Sequence, residues 1–127
     1  MKKKALVVLL VVVTLLSVVA VGCSSSVTVK GYIEAQRAQL DDLIESVKDE
    51  AEMSIYDEGN TIVFSYKYKT DVGDVETAGE NMKATESALK AGADAIKAEL
   101  KIFGINDSAV KYIYINSDGT EIYSKTF

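Results

Sequence analysis

The chain has 127 residues with no histidine, no proline, no tryptophan and one cysteine. Ser/His/Asp and Cys/His catalysis, intrachain disulfides and the usual Cys/His metal sites are therefore excluded. A formal charge of −5 is the wrong sign for a nucleic-acid binder, which neutralises phosphates with clustered Lys and Arg.

Lys2, Lys3 and Lys4 precede an uncharged Val- and Leu-rich run from Ala5 to Gly22. A basic n-region before an apolar h-region is an export signal. The run ends in Val18-Val19-Ala20-Val21-Gly22-Cys23, small residues directly before the cysteine, similar to the lipobox of bacterial lipoproteins. The expected reading is a lipoprotein signal peptide over residues 1–22, with Cys23 carrying the lipid. Retention of the run as an uncleaved anchor is the alternative, since its length approaches a membrane span. Either way the lysines stay in the cytoplasm and the remainder lies on the extracytoplasmic face of the cell membrane. Two or three acyl chains, including a palmitate-type chain, hold such a protein nearly permanently, each buried CH₂ contributing roughly 0.8 kcal/mol. Removing the three leader lysines from 14 leaves 11 basic against 19 acidic residues, a formal −8; this disfavours adsorption of the domain itself on anionic lipid.

Residues 23–30 form the lipidated cysteine and a short polar tether, and residues 31–127 the domain. From Gly31 to Glu52 the apolar residues Ile33, Leu40, Leu43, Ile44, Val47 and Ala51 recur at helical spacing, predicting one amphipathic helix. Met53–Asp57 and Thr61–Lys69 switch to period two around Glu58-Gly59-Asn60, predicting a hairpin. A second helix starts at Asp74, or at a Thr77/Glu80 capping box, and ends at Gly104. Along it Val75, Met82, Leu89, Ile96 and Phe103 stand seven apart, a core stripe or, alternatively, a coiled-coil seam. Val110–Ile115 and Thr120–Phe127 form a last hairpin around Asn116-Ser117-Asp118-Gly119, a type I turn with glycine at the bulge. The expected fold is α+β, αββαββ, a four-stranded antiparallel sheet with two helices packed on one face, its strand order either permuted or a sequential meander.

Candidate chemistry is sparse. Asp41, Asp42, Glu45 and Asp49 cluster on the first helix, where a carboxylate pair or hard-cation site competes with an ordinary solvated face. Asn116-Ser117-Asp118-Gly119 has calcium-loop residue types, but Tyr114 falls at the first ligand position and no glutamate closes the loop. No metal, cofactor or enzymatic role is expected.

Tyr56, Tyr66, Tyr68, Tyr112, Tyr114 and Tyr123 fall on predicted strands. Ile62, Phe64, Tyr66 and Tyr68 share one face. With the proposed last turn Tyr114 opposes Ile122 and Tyr112 opposes Ser124. The outer face then carries Tyr56, Val63, Ile113, Ile115, Tyr123 and Phe127, rimmed by Lys67, Lys69, Lys111, Glu121 and Lys125. This has the form of an interface, or alternatively of cross-strand pairs stabilising a half-exposed sheet.

Asp57-Glu58-Gly59-Asn60-Thr61-Ile62-Val63-Phe64, followed by Tyr66 and Tyr68, and the ending Tyr114 to Phe127 resemble an uncharacterised family of small lipoproteins from Gram-positive, Clostridia-like bacteria, a domain of unknown function. The resemblance implies a surface lipoprotein without an assigned activity. The expected role is a membrane-tethered, non-enzymatic binding or accessory module, acting through an exposed tyrosine-rich sheet face on a protein partner or a second copy. The alternative is a surface inhibitor or immunity-type protein against a secreted hydrolase.

Overall fold

The computed structural model describes residues 28–127; the expected export signal, Cys23 and most of the expected tether lie outside the described residues. Helices α1 (Val29–Ala35) and α2 (Arg37–Ser46) lead into strands β1 (Ala51–Glu58) and β2 (Thr61–Tyr68). Helices α3 (Val75–Lys83) and α4 (Glu86–Ile102) follow, then β3 (Ala109–Ile115) and β4 (Glu121–Thr126). The fold is α+β. Folded structure begins earlier than Gly31: the Thr28 hydroxyl accepts a 3.0 Å hydrogen bond from the Gly31 N–H as N-cap, and Val29 is buried. The domain therefore claims the last residues assigned to the tether.

Each predicted long helix is two. At Gln36 the backbone leaves helical geometry (φ −99°, ψ 11°), although its N–H still donates to Tyr32 O and its carbonyl still accepts from Leu40 N. This offset explains the unequal apolar spacing, because Val29, Tyr32 and Ile33 and then Leu40 and Leu43 all reach the core. Between α3 and α4, the Thr85 hydroxyl donates to Met82 O at 2.7 Å, competition from a side chain that bends a helix. The seven-residue series survives the bend. Met82, Leu89 and Ile96 are buried, and Val75 and Phe103 pack on the same core, so the stripe is spent inside the domain.

Helix ends follow their residues. Asp74 caps α3, its carboxylate accepting from Glu76 N at 3.2 Å and from the Thr77 hydroxyl at 2.6 Å. Gly104 at φ +107° ends α4, with Ile105 N donating to Leu100 O at 2.8 Å and Gly104 N to Lys101 O at 3.0 Å. These are the paired bonds of a Schellman cap.

The strand order is sequential, β1-β2-β3-β4, but the sheet is mixed: β1/β2 and β3/β4 are antiparallel and β2/β3 is parallel, Thr61 pairing with Ala109 through to Lys67 with Ile115. This corrects the all-antiparallel expectation. A helical crossover between adjacent strands carries the chain back to its starting end, so the second strand must run parallel to the first.

A bulge at Tyr114/Ile115 makes the second correction. Asn116 N donates to Thr120 O and Gly119, at φ +94°, closes the turn, as its residues predict. Ile115 then opposes Glu121, but Tyr114 opposes Tyr123, leaving Ile122 as the extra residue. Every side chain beyond Ile122 changes face relative to an unbulged hairpin. Ile122 and Tyr123 are consecutively buried.

One core joins buried residues from all four helices to Met53, Ile55, Ile62, Phe64, Tyr66, Val110, Tyr112 and Tyr114. The strand face carrying these residues is called inner here. Helix α3 packs on β4 so closely that a Cβ built at Gly79 would stand 2.9 Å from the Ile122 carbonyl oxygen. Gly79→Ala therefore sets a helix-propensity gain of ~1 kcal/mol against an overpacking cost of about 1–3 kcal/mol. We expect the clash to win, lowering Tm by a few degrees in a thermal melt; a raised Tm would show that the backbone yields there.

Candidate functional site on the outer sheet face

Alternation along the strands puts Glu52, Ser54, Tyr56 and Glu58 of β1, Val63, Ser65 and Lys67 of β2, and Lys111, Ile113 and Ile115 of β3 on the outer face. Of the six candidate interface residues, four come together there. Tyr56 is the direct partner of Val63, Val63 is paired on its other side with Lys111, and Ile113 and Ile115 lie beside Ser65 and Lys67. Tyr56 is 39% exposed and Ile113 and Ile115 are half-buried. Val63 is fully buried yet stands outside the core cluster. Its flanking side chains are a tyrosine and the aliphatic stem of a lysine whose ammonium is 3.8 Å from Glu58, and long stems of this kind cover apolar surface. Ile102, at the end of α4, is the other strongly exposed large apolar side chain among the described residues.

Tyr123 and Phe127 belong to the inner side and are corrected. The bulge turns Tyr123 under the helices, where its ring lies 6.3 Å from that of Tyr114 and its hydroxyl donates to Glu86 Oε2 at 2.6 Å. Phe127 exchanges backbone hydrogen bonds with Val110 and packs edge-on to Tyr112 at 6.1 Å. Tyr66, Tyr68, Tyr112 and Tyr114 are buried as well, so an exposed tyrosine-rich face does not exist; Tyr56 alone of the strand tyrosines faces outward. Lys125, expected on the rim, opposes Tyr112 on the inner side of the β4 edge, with its ammonium 6.0 Å from the Phe127 ring.

The buried tyrosines make a continuous ring layer, with Tyr66 to Tyr114 at 5.6 Å, Tyr66 to Tyr68 at 6.0 Å and Phe64 to Tyr112 at 5.7 Å. Burial pushes all of their hydroxyls well above the ordinary tyrosine range, and for Tyr123 the Glu86 carboxylate adds to the effect. The Tyr66 and Tyr68 hydroxyls are buried without a hydrogen-bond partner among the described residues.

The remaining candidates are structural. On α2 Arg37 pairs with Asp41, and Lys48, just past the end of the helix, pairs with Glu45, all well exposed, which is a solvated face. No group of acidic residues that could hold a metal ion exists among the described residues. Asn116 is the exception to turn chemistry: nearly fully buried, it accepts from Val72 N at 3.0 Å and from Ser117 N at 2.9 Å, and donates to Asp71 at 3.1 Å. It fastens the β2–α3 connection to the last hairpin. The sequence reading missed this tie, and equally Glu52 and Ser54 as part of the outer face; the extension of period two back to Ala51 was the available signal for the latter.

No curated protein and no solved structure matches the chain. A family model, described as a domain of unknown function (DUF4854), matches residues 29–127. Its start coincides with the first residue of α1, so the matched segment is the folded unit described above. The chain belongs to the DUF4854 family.

Proposed function

We propose that this protein is a lipid-anchored, extracytoplasmic and non-enzymatic binding module, held to the cell membrane through Cys23 and contacting a protein partner with its outer sheet face. In this reading the helices share the inner face and leave the other to the partner. The observation that carries it is the arrangement of Tyr56, Val63, Ile113 and Ile115, an apolar strip outside the core with charged neighbours at Lys67 and Lys111–Glu58. An apolar centre with a charged rim is the usual anatomy of a protein contact. The leader ending at Cys23 supplies the address.

The contact is confined to a few anchors, and interfaces concentrate their energy in such anchors. Ile113→Asp and Tyr56→Asp, each placing a charge at the centre, are expected to abolish the crosslinked complex recovered from intact cells while leaving the circular dichroism of the domain unchanged. Mass spectrometry of the same preparation should find an acylated Cys23 at the N-terminus. Retention of the complex by both folded variants contradicts the contact surface, and an unmodified Cys23 contradicts the anchor.

A further inference from the structure

The two edges of the sheet are built differently. β4 carries a bulge at Tyr114/Ile115 and an inward-facing Lys125, two of the devices by which proteins blunt an edge against strand addition. β1 has neither. Its eight residues, Ala51 to Glu58, pair with β2 in unbroken register from Tyr68 to Thr61, and it contains no lysine or proline.

The hydrogen-bond parity says which backbone groups face outward along that edge. Lys69 N donates to Glu50 O, so in an antiparallel ladder Glu52, Ser54, Tyr56 and Glu58 turn their N–H and C=O toward β2, and Met53, Ile55 and Asp57 turn theirs to the open side. Among the described residues, no hydrogen bond reaches these last groups. Beside them stand the exposed side chains of Glu52 and Tyr56, with Glu58, which also lies 3.8 Å from the Lys111 ammonium and remains half exposed, at the end of the strand.

That charge selects the occupant. A second copy adding through β1 about Ile55 would set Glu52 opposite Glu58, and about Ser54 would set Glu50 opposite Glu58; like charges directly opposed across a pair are unfavourable. A strand with basic residues at alternate positions carries them all on the face shared by Glu52, Tyr56 and Glu58, meeting the two carboxylates with complementary charge. We infer that β1 is a docking edge for an extended basic segment of the partner protein, which adds beside it as a further strand by backbone pairing. The inference rests on reading the chain as a binding module and specifies how that module holds its partner.

The test uses the full chain in neutral detergent micelles, probed with a synthetic peptide alternating lysine and threonine and with the same peptide carrying glutamate for lysine. The lysine peptide should slow amide hydrogen exchange at Met53, Ile55 and Asp57 by at least about tenfold, the equilibrium equivalent of about 1.4 kcal/mol, with no such effect from the glutamate peptide. Asp57→Pro removes an outward N–H while keeping the β1/β2 ladder, and should abolish the protection. Glu52→Lys should weaken the lysine peptide several-fold and decides the matter if Asp57→Pro does not fold. Unchanged exchange at the three amides, equal protection by the glutamate peptide, or an unaffected Glu52→Lys would overturn the inference. If Ile113→Asp and Tyr56→Asp still abolish the cellular complex in that event, the binding-module reading stands and only the docking edge is lost.

Discussion

Raising the pH through 10 is expected to unfold the domain in a narrow, cooperative transition. Tyr32, Tyr66, Tyr68, Tyr112, Tyr114 and Tyr123 have folded-state pKa values lifted above the ordinary 10.0, by burial first in every case. Above pH 10 the unfolded chain sheds these protons and the native chain keeps them. Stability is therefore undiminished by this term below pH 10 and falls as the pH rises beyond it. Each such tyrosine contributes a slope of about 1.4 kcal/mol per pH unit once the unfolded form is ionised, and the six together about 8 kcal/mol per unit. Against a domain stability on the order of 5–15 kcal/mol, one to two pH units suffice. Tyrosinate absorbance and far-ultraviolet circular dichroism followed on one sample should change together. Progressive ionisation of all the tyrosines with the circular dichroism retained would show that the ring layer is open to water.

The largest single-residue effect is expected at Phe64. It is a fully buried side chain on the central strand β2 and stacks on Tyr112 of the parallel neighbour at 5.7 Å, with the rings 23° apart. Phe64→Ala removes the ring from the point where β2 and β3 share the core. The cost is about 3–5 kcal/mol, combining lost transfer energy with the residual cavity. Urea unfolding with an unchanged slope and a midpoint lowered accordingly is the expected record. A loss below ~1 kcal/mol would mean that this layer repacks freely, contrary to the dense ring contacts around it.

What could be read in the sequence was whatever local chemistry decides. The Asp74 cap, the Gly104 stop and the Gly119 turn each depend on residues within a few positions, and each formed as its residue types require. The alternation in β2 placed Phe64, Tyr66 and Tyr68 together on the buried face. What failed was non-local. The parallel β2/β3 pairing depends on how a helical crossover returns the chain, which no period along one segment reveals. The bulge at Ile122 is a single inserted residue in an apolar strand, and the local pattern Glu121-Ile122-Tyr123-Ser124 is compatible with either register. That one residue moved Tyr123 and Phe127 from the proposed contact to the core side, and the outer candidate site shrank from six residues to Tyr56, Val63, Ile113 and Ile115. Tyr123 gained a hydrogen bond to Glu86 in exchange, which is a reason for the bulged register that lies 37 residues away along the chain.

The helix breaks were of intermediate legibility. Thr85 within an alanine-rich run is a β-branched residue able to bond the preceding turn, so a bend there follows from residue type once it is looked for. Gln36 gives no comparable signal, and only the wide step from Ile33 to Leu40 marks the offset.

The central claim is that the face bearing Tyr56 and Ile113 meets a partner at the cell membrane. Its most direct test is a photocrosslinking amino acid placed in living cells at position 113, with position 94 on the exposed side of α4 as the control. A discrete adduct from position 113 that is absent from position 94 is the result this account predicts. The same products from both positions, or none from 113 while the protein is folded and membrane-bound, would contradict it.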